Sequence, residues 1–135
     1  MGYVAWSRAT YHGLPVRFLF GRPLAVVPLH DLTADFFADG GQLRAARNDL
    51  FIEFRDEQKN LVDVGNVTLE LDLTTPDAVM HSIGEVSRTT TPGAYRTTVD
   101  PQTTGNWLAK IGFAGPRGTN ETTFFTTVVP SETQP

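Results

Sequence analysis

The chain contains no cysteine. Disulfides, thiolate metal sites and cysteine nucleophiles are therefore excluded, and nothing follows about compartment. Methionine is almost as scarce, with two residues of which one is Met1, so thioether ligands for a soft metal are few. No apolar run reaches the ~18 residues of a membrane span. No signal peptide with basic, apolar and small-residue regions opens the chain. Membrane attachment is thus expected only through a segment outside this chain, with Gly2 to Arg8 fitting the emerging end of such a helix by its Trp6 and Arg8. Internal repeats, low-complexity tracts, helical stripes of more than two turns, nucleophile elbows, phosphate loops and zinc-binding helices are all missing.

What remains is a strand-forming composition. A length of 135 residues with 40% hydrophobic and 19% charged content suits one domain with a sizeable core. Twelve glycines, nine prolines and many threonines favour strands and turns over helices. The net charge of −4 is uneven. Residues 1–30 carry Arg8, Arg17 and Arg22 and no acid, whereas the rest holds all fifteen acids and eight basic residues. An acidic body is a poor match for phosphate backbones, so no nucleic-acid partner is expected.

Residues 1–30 read as an extended N-terminal arm or linker, broken by Pro15, Pro23 and Pro28, with a short alternation over Val16, Phe18 and Phe20. Residues 31–130 read as the folded domain and 131–135 as a loose tail. Strands are predicted over Thr33 to Asp39, Asn48 to Arg55, Val67 to Leu73, Val79 to Thr90 with a break at Gly84, and Glu121 to Val129. Val67, Leu69, Leu71 and Leu73 alternate strictly with Thr68, Glu70 and Asp72, as a half-buried strand requires. Between Pro92 and Ile111 the pattern is turn, strand, turn, strand. It predicts a hairpin with Tyr95 and Trp107 inward as structural core residues, the Trp N–H on a carbonyl and the Tyr hydroxyl tying a corner. About seven strands at this spacing predict an antiparallel immunoglobulin-like β-sandwich.

The run Asn48 to Asp56, the aliphatic strand Val67 to Leu73, a Met-His segment, then Gly93-Ala94-Tyr95 and Gly105-Asn106-Trp107 resemble the YtkA-like and FixH-like domains of bacteria. The resemblance covers roughly residues 33–129. It implies an extracytoplasmic, non-catalytic module of the periplasm or cell envelope, membrane-tethered or free. Such a module serves a protein partner in a membrane, efflux or assembly system, often one handling copper or other heavy metals. The segment matching the family's metal-friendly stretch is Thr75 to His81, of which Met80 and His81 keep the ligand types.

Two readings of the site follow. In the first, copper is held by Met80 and His81, with further ligands from His12 or His30 of the arm or from Asp77 or Glu85, since thioether suits Cu(I) and imidazole suits either oxidation state. Neighbours on a strand point to opposite faces, so Met80 and His81 can share an ion only from a loop or bulge. In the second, the chain is an interaction domain without a metal role, its partner docking on Trp6, Tyr11, Phe18 and Phe20 or on a sheet edge, with a homodimer through the arm as a variant. Catalysis is not expected. The acid pairs Asp35/Asp39 and Glu53/Glu70 alternate with core residues, which predicts them on solvent faces.

Overall fold

The computed structural model describes residues 22–131. Among these the chain forms ten strands: β1 (Ala25–Leu29), β2 (Leu32–Ala38), β3 (Leu43–Arg44), β4 (Asn48–Arg55), β5 (Asn66–Thr74), β6 (Val79–Glu85), β7 (Ser87–Arg88), β8 (Ala94–Val99), β9 (Gly105–Gly115) and β10 (Gly118–Val129). They build two five-stranded sheets, in the orders β1-β2-β4-β8-β7 and β3-β10-β9-β5-β6. Every pairing is antiparallel except the short one between β3 and β10. With β2, β4, β8 and β7 as strands A, B, E and D, and β5, β9 and β10 as C, F and G, this is the immunoglobulin-like order.

Alternation along the strands makes the core. Leu50, Ile52 and Phe54 of β4 face Leu69 and Leu71 of β5 and Ala109 and Ile111 of β9 across the sandwich, each nearly or fully buried. Each large aliphatic side chain so buried contributes about 1.5–3 kcal/mol relative to exposure. Phe54 sits at the centre of the aromatic packing, edge-on to Tyr95 at 5.5 Å and to Phe113 at 5.9 Å. Trp107 is fully buried, and its indole N–H donates to the Thr103 carbonyl at 2.8 Å, as expected for an inward tryptophan.

The structure alters four expectations. Strands β8 and β9 do not form a hairpin. They lie in opposite sheets, and the loop 100–104 arches between them. The inward faces were legible from alternation, but alternation says nothing about which sheet a strand joins. Second, Val79 to Thr90 is two strands, one per sheet, and the chain changes sheets at Val86 rather than bulging at Gly84. Gly84 serves the crossing by its size, since a Cβ there would come within 2.5 Å of the Thr97 hydroxyl oxygen. That hydroxyl donates to the Glu85 carbonyl at 3.0 Å, and the Asp100 N–H donates to Ser82 Oγ at 2.9 Å, so the two sheets are stitched together here. Third, Ala25–Leu29 pairs with β2 from Ala25↔Phe36 to Leu29↔Leu32. The sandwich thus takes in residues assigned to the arm. Pro28 is accommodated because β1 is an edge strand, where a missing N–H can face solvent. Fourth, ten strands replace about seven, because β3 and β7 are too short to show a period.

Tyr95 ties a corner. Its hydroxyl accepts from the Val64 N–H at 3.1 Å and lies 3.1 Å from both the Gly65 carbonyl and Asp63 Oδ1, to one of which it donates. Arg88 braces Asp63 from outside through Nε and Nη2, at 3.0 and 3.2 Å. The Arg88 guanidinium above all, then the Gly65 N–H, holds the Asp63 carboxyl down at about 2. Burial pushes the Tyr95 phenol above its ordinary value. Gly65 has φ +93 and packs against β9, where a Cβ would come within 2.5 Å of the Ala114 carbonyl oxygen. Only glycine meets both demands.

Candidate functional site

The outer face of the sheet β3-β10-β9-β5-β6 carries the most chemistry. On β5, Glu70 and Asp72 are two residues apart and so project from the same face. On β6, His81 stands directly opposite Asp72, and Ile83 opposite Glu70. On β9, Leu108 stands opposite Asp72 and Lys110 opposite Glu70. On β10, Phe125 stands beside Leu108. Cross-strand register, rather than any loop, therefore assembles the group.

The His81 Nδ1 atom forms a short hydrogen bond with Asp72 Oδ1 and lies 3.6 Å from Glu70 Oε2. One ligand atom from each of Glu70, Asp72 and His81 lies within 4.8 Å of the other two. Lys110 Nζ approaches the other carboxylate oxygen of Glu70, Oε1, at 3.8 Å. Both carboxylates are about one-third exposed and the imidazole is more open, so the cluster lies at the surface without being fully solvated.

Apolar side chains surround it. Four large hydrophobic residues are exposed among the described residues: Ile83 at 70%, Phe125 at 67%, Val26 at 57% and Val79 at 56%. Three of them lie on this one face, Val79 and Ile83 on either side of His81 on β6, and Phe125 beside half-buried Leu108 on the other side of β5.

Met80 and His81 do not converge. Both sit on the regular strand β6, so alternation turns Met80 inward, where its sulfur accepts from the Thr103 hydroxyl at 3.2 Å, while His81 faces out. His30 lies in the turn between β1 and β2, at the edge of the other sheet that packs on β10 rather than on β6, so it does not approach His81. His12, Trp6, Tyr11, Phe18 and Phe20 lie outside the described residues. Sequence reasoning missed Glu70 and Asp72 as companions of His81. Their i, i+2 spacing on the cleanest strand was visible, but the register that sets His81 beside them was not.

The acid pairs separate as well. Glu53 and Glu70 lie in different sheets, and Asp39 has left β2 for the turn Asp39–Gly41. Asp35 and Glu53 are direct cross-strand partners and are buried at 5% and 1% exposure, not solvated as expected. Arg55, two residues along β4, reaches back to Glu53 Oε1 at 2.8 Å and compensates its charge. A shallow groove of about 310 Å³ follows the edge where β6 meets β8, lined by Ile83, Glu85, Ser87, Arg96, Thr97 and Thr98.

No protein-family model, curated protein or solved structure matches this chain.

Proposed function

We propose that this chain is a non-catalytic, extracytoplasmic binding module that recognises a protein partner through the outer face of the β10-β9-β5-β6 surface. The observation that carries the reading is that three of the four exposed large hydrophobic side chains share that face, Val79 and Ile83 on either side of His81 on β6 and Phe125 beside Leu108. Exposed apolar side chains scattered singly need no explanation, whereas three on one face, with polar groups set between them, have the mixed character of a contact surface. Here Glu70, Asp72, His81 and Lys110 supply the polar part, which would set orientation and partner choice. The compartment, and a partner belonging to a membrane, efflux or assembly system for copper or another heavy metal, are what the sequence resemblance to YtkA-like and FixH-like domains would imply.

Site-specific photo-crosslinking in the source cells tests this. A crosslinking residue at Ile83 or at Phe125 should trap one discrete protein, and the same residue at Val26, exposed on the edge strand β1 of the other sheet, should not. Phe125→Asp should remove the adduct formed from position 83 without unfolding an exposed site. Equal yields from both faces, or no adduct from positions 83 and 125, would overturn the assignment.

A further inference from the structure

We infer that Glu70, Asp72 and His81 form an open, three-donor site for a borderline divalent transition-metal ion on the outer face of β5 and β6. The donor set carries the argument. One imidazole nitrogen and two carboxylate oxygens match Zn(II), Ni(II) and Cu(II). They do not match Cu(I), which favours sulfur, and the Met80 sulfur is turned to the core. An imidazole is equally foreign to an all-oxygen Mg(II) or Ca(II) site.

Geometry and support agree with the chemistry. Donors bound to one ion at ~2.0–2.2 Å lie at most about 4 Å apart. The three atoms already lie within 4.8 Å of one another, so small rotamer adjustments close the set. Glu70 divides its work: Oε1 is near Lys110, at 3.8 Å, and Oε2 is directed at the imidazole, at 3.6 Å. The lysine therefore approaches the carboxylate oxygen that is not directed at the imidazole. All three side chains stand on paired strands, with Asp72 held between His81 and Leu108 by the ladder. Such mounting fixes the positions of the donor atoms better than a loop does.

All three side chains are partly exposed on the outer face, so an ion they hold can be reached by a donor from outside. A metal held by three protein ligands keeps a position for an outside donor. If the face docks a partner, that partner supplies the fourth ligand. Only this last step rests on the proposed function, because capture of the ion needs this chain alone.

The test is calorimetric and NMR titration of the full chain with ZnCl2 in excess MgCl2. One ion should bind per chain, with amide shifts centred on residues 70–72 and 81. His81→Ala and Asp72→Asn should each weaken binding by at least about tenfold, since loss of even a group that only supports a metal ligand costs that much. CuCl2 should bind more tightly than ZnCl2, and Met80→Leu should change neither. Zn(II) binding that is indifferent to His81→Ala, shifts centred on other acids, or no saturable binding by ~100 μM, far above a specific site's range, would each overturn the site. Crosslinking from Ile83 repeated in chelator separates the proposals, since a metal-free adduct leaves the docking face standing when the titration fails.

Discussion

Tyr95→Phe isolates one atom. The phenylalanine ring keeps the edge-on contact with Phe54 and the burial of the original ring, so no cavity opens. The loss is the hydroxyl, which is the acceptor for the Val64 N–H at 3.1 Å. Val64 is fully buried, so water cannot replace that acceptor. A buried amide left without a partner costs about 1–3 kcal/mol. The donated bond adds little, because Asp63 keeps Arg88 and the Gly65 N–H. The expected destabilisation is about 2 kcal/mol, read as a lower urea midpoint with an unchanged slope. Alkaline pH supplies a second readout. The Tyr95 phenol is raised by burial, so the unfolded chain ionises it first. Its contribution to stability is complete below the unfolded value of 10.0 and falls as pH rises through the folded one. The difference between wild type and Tyr95→Phe should shrink above pH ~10. A loss under about 0.5 kcal/mol, within the range of ordinary surface substitutions, would refute the corner as a structural tie.

Trp107→Ala should cost about 3–5 kcal/mol through the cavity it leaves, measured by thermal or urea unfolding, and a loss under ~1 kcal/mol would contradict full burial at that position. Gly65→Ala and Gly118→Ala make a matched pair, with φ +93 and +95. Nothing lies near the second, so it should lose about 1 kcal/mol from backbone strain alone. The first also meets the Ala114 carbonyl and should lose clearly more, and equal losses would mean that β5 and β9 do not approach as described. Asp63→Asn should cost under about 1 kcal/mol at neutral pH because the pair with Arg88 is exposed. Since the folded carboxyl is held down at about 2 from 3.8, that contribution is present above 3.8 and disappears as pH falls through about 2. Acid titration of the stability difference between the two proteins reads this directly, and a difference that persists below pH 2 would be inconsistent with an ionic origin.

Strands with one wet and one dry face could be read from the sequence. Strand β4 spans Asn48–Arg55 as predicted, and β5 exceeds its predicted span by one residue at each end, because alternation over many residues leaves one register. What alternation cannot carry is partnership. Tyr95 and Trp107 were assigned inward correctly but placed in one hairpin, because a short polar connection closes a hairpin or arches between sheets with equal ease. The same limit hid the site. His81 lies nine positions beyond Asp72, and only the β5–β6 register makes them neighbours. Burial of Asp35 and Glu53 was illegible for another reason: polar residues on an alternating strand mark the outer face, and the sequence does not say whether that face is wet.

The parallel pairing of β3 with β10 has a consequence for how the molecule is made. Leu43 and Arg44 find their partners in Val128 and Val129, the end of the last strand described. The hairpins β1–β2, β5–β6 and β9–β10 can close as the chain leaves the ribosome. Leu43, which the finished fold hides almost completely, must wait uncovered until β10 has emerged. The pairings of β4 with β8 and β5 with β9 also join distant stretches, so acquisition of the fold is slow and late rather than progressive. A nascent chain halted before β10 carries the open edge of β9 along its full length, a ready template for pairing with other chains. The burden of quality control therefore falls on the interval before β10 is made.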